Sequence, residues 1–226
     1  MHEQREESRL GQSISTNVGH VYRDALRLLF ILVHGSESLE QPTDGWDQVF
    51  LGEKRALAID FWIRYPDYLA DQLLSIYLRT QDNSMFEAAE QIFDKDEPDV
   101  RIVRMIRWQR GAFDDLQTSL SVLSYRGLAR TMKRQLPTGH YRYEYLTGPL
   151  ARAFLIEALV EQPELAWYEK QTRLALKVAQ DKSGSALKDM HYADEEYATT
   201  PYGAMIPSIK GRVLERIASI REQRSA

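Results

Sequence analysis

From Val21 onward apolar residues recur at helical spacing. Ala25, Leu28, Leu29, Leu32 and Val33 share one face as far as Gly35, which predicts an amphipathic helix with a glycine stop. The stretch Gly35 to Gly45 that follows shows no such period and reads as a surface loop. Helical spacing returns from Gly52 to Tyr65, with Leu57, Ala58, Phe61 and Trp62 as the buried stripe and Pro66 as the terminator. A third helix begins at Asp67 or Tyr68 and carries Leu69, Leu73, Leu74 and Tyr77, so Arg64 to Tyr68 is a corner between two helices. Met85 to Phe93 predicts a shorter helix, and Asp94 to Asp99 an acidic break.

Past Pro98 the pattern places Ile102, Val103, Ile106 and Phe113 on the inner side of another helix. Arg101, Arg104, Arg107 and Arg110 wind around it at a spacing of three and read as solvated surface. The next helix starts at Asp114 or Asp115, buries Leu116, Leu120 and Leu123, and stops at Gly127. There the period changes to two. A strand with Arg130, Lys133 and Arg134 leads through a tight Pro137-Thr138-Gly139 turn to a return strand from Tyr141 to Tyr145. Helix, strand, turn and strand in this order predict a winged helix, and these two strands are the only ones the pattern supports. Helices resume at Pro149 and near Glu164, residues 183–205 look loop-like, and Ile206 to Arg221 predicts a terminal helix.

The expected fold is therefore a mainly α protein containing a winged-helix element with one β-hairpin. Its expected regions are a flexible N-terminal arm (1–20), an N-terminal helical region (21–97), a winged-helix region (98–160) and C-terminal helices (161–226) with a loop at 183–205. A chain of 226 residues with 43% apolar content can bury one core or two small ones.

Composition narrows the setting. The chain has no cysteine, which removes disulfides, thiolate metal sites and cysteine nucleophiles and fits a reducing compartment. The charged start, from Met1 to Arg9, lacks the apolar core of a signal peptide, and no apolar run reaches membrane-spanning length. A cytoplasmic protein is expected. Its net charge of -4 is unevenly spread: from Arg101 to Arg142 nine Lys/Arg stand against two Asp, a local +7 that leaves -11 for the rest. Such asymmetry points to a polyanion or an acidic partner at this segment.

Catalytic patterns are sparse. His2, His20, His34, His140 and His191 form no metal-ligand spacing, and neither a P-loop nor a dinucleotide-binding glycine motif is present. Asp60, and Asp194-Glu195-Glu196 beside His191, are conceivable acid/base groups. Each lacks a second component and reads as an ion pair, a cap or a solvated loop. The expectation is a chain that is not an enzyme and carries no cofactor or metal.

Cations on a wing can neutralise phosphates without fixed spacing. Arg126, Arg130, Lys133, Arg134, His140 and Arg142 are the candidate nucleic-acid contacts. Base reading is poorly served, because the helix before the wing exposes Gln117, Thr118, Ser121, Ser124 and Tyr125. Tyr141, Tyr143 and Tyr145 alternate in a way that suits packing on the domain's own helices, with base stacking as the alternative. Trp62, Tyr65 and Tyr68 around the Pro66 corner are candidates for a partner pocket, against a reading as core.

Two segments resemble the small middle component of bacterial three-component ABC-ATPase systems, the group that includes the accessory subunit of Lamassu-type SMC-like defence complexes. One joins Ala25 to Leu32 with the helix and corner from Ala58 to Leu69. The other runs from Leu123 to Arg130 and through Tyr141-Arg142-Tyr143 to Ala151-Arg152-Ala153-Phe154-Leu155. Together they cover roughly residues 22–178 and carry no catalytic signature. The resemblance implies a noncatalytic subunit joining an SMC-like or Rad50-like ATPase to an effector, often a nuclease, in antiviral or antiplasmid defence. A winged-helix regulator that reads a DNA sequence is the alternative, and an enzyme with an unrecognised site is a third reading.

Overall fold

The computed structural model describes residues 21–93, 107 and 116–225. The expected arm at 1–20, the acidic break, the Asp114/Asp115 helix start and most of the helix past Pro98 lie outside them. The described residues form a mainly helical protein with a small antiparallel sheet.

The chain divides into two compact units, each discontinuous in sequence. One takes the described residues up to Leu51 and those from Leu116 to Leu155, and the other takes those from Gly52 and from Ile156 onward. The expected regions are sequential, whereas each unit gathers two separate stretches of chain, and within the first unit residues 48–51 pair with residues 144–147.

In the first unit, helix α1 spans residues 21–34 and buries Ala25, Leu28, Leu29 and Leu32. Gly35 follows it and donates its backbone N–H to the Ile31 carbonyl at 2.9 Å. The stretch expected as a loop is instead a hairpin, β1 (Glu37–Thr43) and β2 (Trp46–Leu51). Thr43 pairs with Trp46 around Asp44 and Gly45, both at positive φ (47° and 83°). An Asp-Gly pair in this conformation matches the twist of two antiparallel strands. It was the signal for a hairpin that the unpatterned composition of β1 obscured.

Helix α5 (Leu116–Tyr125) buries Leu116, Leu120 and Leu123 as its spacing predicts. It ends at Gly127, whose φ of 69° lets Leu128 donate to the Leu123 carbonyl at 2.9 Å. Strands β3 (Arg130–Gln135) and β4 (Tyr141–Thr147) form the expected wing. Its turn closes through Gly139 to Leu136 and Leu136 to His140 bonds of 2.9 and 2.8 Å. The sheet has four strands in the order β1-β2-β4-β3, not one hairpin. Phe50 on β2 meets Tyr145 on β4 at its centre, and both are buried. Gly148 then brings the chain so close to the β1–β2 turn that a Cβ there would lie 1.9 Å from the Gly45 oxygen. Just beyond it Arg152, in helix α6 (Pro149–Glu161), clasps the Asp47 carboxylate with two bonds of 2.5 and 2.7 Å. These bonds hold the Asp47 carboxyl below the usual carboxylate range.

The second unit is helical: α2 (Glu53–Arg64), α3 (Pro66–Thr80), α4 (Asn83–Gln91), α7 (Ala166–Ala179), α8 (Gly184–Tyr192), α9 (Glu195–Thr199) and α10 (Lys210–Ser225). Pro66 opens α3 at its first turn, where its missing N–H costs nothing. Helices α8 and α9 replace the loop expected at 183–205. Ser183 caps α8 by accepting from Ala186 N–H, and Asp194 caps α9 by accepting from Tyr197 N–H. Gly184 lets α8 approach α2, since a Cβ there would lie 2.8 Å from the Arg55 nitrogen. Leu187, His191 and Tyr197 are buried beneath.

Candidate nucleic-acid interface on the wing

Strand register sorts the wing's side chains. Arg130 faces Leu146, Met132 faces Glu144 and Arg134 faces Arg142, so these six residues share one face. Thr131 faces Tyr145, Lys133 faces Tyr143 and Gln135 faces Tyr141 on the other. The candidate cations on the two strands are therefore split between two faces, Arg130, Arg134 and Arg142 on one and Lys133 on the other.

On the first face, Glu144 is buried (2% exposed) and gathers two guanidinium groups. Arg134 Nε donates to it at 3.0 Å, and Arg142 donates from two nitrogens at 2.7 and 3.3 Å. A buried carboxylate needs such partners, so Arg134 and Arg142 maintain the hairpin and offer a phosphate only part of their charge. Arg126, Arg130 and His140 are exposed.

On the second face the tyrosine row grades from core to solvent. Tyr145 is 1% exposed, Tyr143 36% and Tyr141 58%. The packing expected of all three holds for Tyr145. The Lys133 ammonium lies over the Tyr141 ring, 4.3 Å from its centroid. Helix α5 exposes Gln117, Thr118, Ser121, Ser124 and Tyr125, and the Ser121 hydroxyl is spent on the Gln117 carbonyl at 2.7 Å. It presents no cation to a duplex.

The candidate partner pocket is absent from the surface. Trp62, Tyr65 and Tyr68 are all buried, because the Pro66 corner turns inward and the two tyrosine hydroxyls donate to the Ile206 and Pro207 carbonyls, each at 3.0 Å. Burial pushes the Tyr68 hydroxyl's pKa far above its ordinary value. Asp67 completes this anchor, accepting from the Ser208 hydroxyl and the Ile209 N–H at 2.7 Å each.

The conceivable acid/base groups also have structural surroundings. Asp60 pairs with Arg64 at 3.1 Å. Asp194 pairs with Arg212 at 2.6 Å, and burial nevertheless holds its carboxyl above the usual range. His191 packs between Phe61 and Trp62, with ring centroids 4.5 and 4.8 Å away. Arg107, expected on a solvated surface, is buried. Its guanidinium donates to the Ala198 and Thr200 carbonyls and faces the rings of Tyr192, Tyr197 and Tyr202. Arginine spacing carried no sign of this, because the partners all come from residues 192–202. Among the described residues, no three His, Asp or Glu side chains converge so as to hold a metal ion. Among them, too, no helix is long and apolar enough to cross a membrane.

Compared with known protein families, curated proteins and solved structures, the chain matches none.

Proposed function

We propose that this chain is a noncatalytic accessory subunit of an SMC-like ATPase complex in cytoplasmic defence against phage or plasmid DNA. It bridges the ATPase and an effector and touches the DNA backbone through its wing. The observation that carries the reading is the wing itself: a hairpin whose β3 strand is exposed along its whole length and which carries Arg130 and Lys133, with Arg126 and His140 beside it. Exposed cations at irregular spacing suit backbone neutralisation, and the cation-poor α5 does not suit base reading. The resemblance of the two segments to three-component ATPase systems supplies the partners.

The test reverses Arg126, Arg130 and Lys133 to Glu and leaves Arg134 and Arg142 in place, since removing either leaves Glu144 buried with a lost partner. DNA affinity should fall, and the salt dependence should flatten by about one unit of slope per phosphate contact removed. Unchanged DNA affinity together with unchanged activity of the assembled complex would reject the wing as a contact.

A further inference from the structure

Resting on the reading of the wing as a DNA contact, we infer that its Lys133-Tyr141-Tyr143 face binds single-stranded DNA, stacking two successive bases on the two tyrosine rings. The two sides of the hairpin differ in what they have left to offer. On the Glu144 side two guanidinium groups already serve a buried carboxylate. On the tyrosine side, two large aromatic rings stand 58% and 36% exposed with an ammonium 4.3 Å from the first. Cations along β3 have an ordinary explanation, since charge on an edge strand blocks pairing with other chains. That explanation concerns charge and does not reach the aromatic rings of Tyr141 and Tyr143, which sit on β4 beyond the end of its pairing with β2 and are more exposed than Tyr145.

Spacing selects the form of the nucleic acid. Residues two apart on a strand lie about 6.7 Å from each other. Bases in a duplex are stacked at about 3.4 Å. Two neighbouring bases on Tyr141 and Tyr143 must therefore be unstacked from each other, which a single strand allows and a duplex does not. Every base presents a ring face, so the platform tolerates any sequence. Lys133 lies directly across from Tyr143 with its ammonium over the Tyr141 ring, and a base that stacks on that ring face displaces the ammonium toward the neighbouring phosphate. Gln135, across from Tyr141 on the same face, adds an amide within the platform. The two tyrosines and Lys133 all belong to the β3–β4 hairpin, so the platform is prearranged by the strand register.

The test uses the full chain and fluorescence anisotropy with labelled oligodeoxythymidine, a duplex of equal length and oligouridine. Wild type should bind oligodeoxythymidine more tightly than the duplex. Tyr141→Ala/Tyr143→Ala should weaken single-strand binding on the order of 10-fold per ring, with duplex binding little changed. Tyr141→Phe/Tyr143→Phe should retain it, because the ring and not the hydroxyl stacks. The phenylalanine variant should melt as wild type does, and the alanine variant should keep a cooperative melt at a somewhat lower temperature, because Tyr143 is partly covered. Equal single-strand affinity in the alanine variant, loss in the phenylalanine variant equal to that in the alanine variant, or a preference for oligouridine would each overturn the inference. Duplex binding without single-strand preference overturns the inference and leaves the wing as a DNA contact. Binding of neither form removes both.

Discussion

His191 shows how far a residue's role can lie from what its sequence neighbours suggest. Next to Asp194-Glu195-Glu196 it looks like part of a charged constellation. In the fold its imidazole is 3% exposed among Phe61, Trp62 and Tyr197, while Asp194 turns to Arg212. Adjacency in sequence was legible, but the direction of each side chain depends on the turn between α8 and α9, which no local pattern announces. Burial lowers the His191 pKa from 6.5 to about 3. Between those values the unfolded chain takes up a proton that the folded chain refuses, so this contribution to stability is present above about pH 6.5 and lost as pH falls. At about 1.4 kcal/mol per pH unit, the loss between about pH 7 and pH 5 amounts to about 2 kcal/mol. Chemical denaturation of wild type and His191→Phe over that range should show the steeper decline in wild type; parallel declines would mean that the imidazole is not held neutral in the core. Glycines carry a related lesson. Gly184 falls in the stretch that reads as a loop, yet it and Gly148 each sit where another segment's backbone comes too close for a side chain.

Elements were legible where one face repeats. Helices α1, α2, α3 and α5 and the β3–β4 hairpin form where the pattern places them, and their ends fall at Gly35, Pro66, Gly127 and Gly139 for the reasons those residues usually end or turn a chain. The single buried face does not hold for α1 and α2, which bury successive residues 27–32 and 58–63, while Leu57, expected in the α2 stripe, and Val33, expected in the α1 stripe, are only half-buried. Strand β1 has no apolar alternation to read, because almost all of it is exposed, and only its Asp44-Gly45 turn betrays the hairpin. Helices α8 and α9 are short, and their buried residues Leu187, His191 and Tyr197 are too few for a period to stand out among polar neighbours. The face assigned to α5 has a direct consequence. Leu120 and Leu123 are each 3% exposed. An aspartate at either position buries an unpaired carboxylate and should cost on the order of 4 kcal/mol, whereas Ser121→Asp on the exposed face should cost little. Comparable melting temperatures for Leu123→Asp and Ser121→Asp would show that the buried face of α5 lies elsewhere.

For the whole molecule, the hardest feature to read was the long-range pairing of β2 with β4, which gathers each compact unit from two separate stretches of chain. Periodicity is local and cannot report a partner about a hundred residues away. Charge was legible in amount but not in disposition. Of the nine cations between Arg101 and Arg142, Arg107 is spent on carbonyls and aromatic rings, and Arg134 and Arg142 share Glu144. What the wing offers a partner is smaller than the local +7 and divided between two faces. In the proposed function, that disposition serves backbone contact and not sequence reading. The most direct test is to express the full chain with its native neighbouring genes, purify it, and identify its companions by mass spectrometry and mass photometry. An SMC-like ATPase recovered with it in a defined complex is the expected result; a lone dimer that selects one DNA sequence would contradict the account.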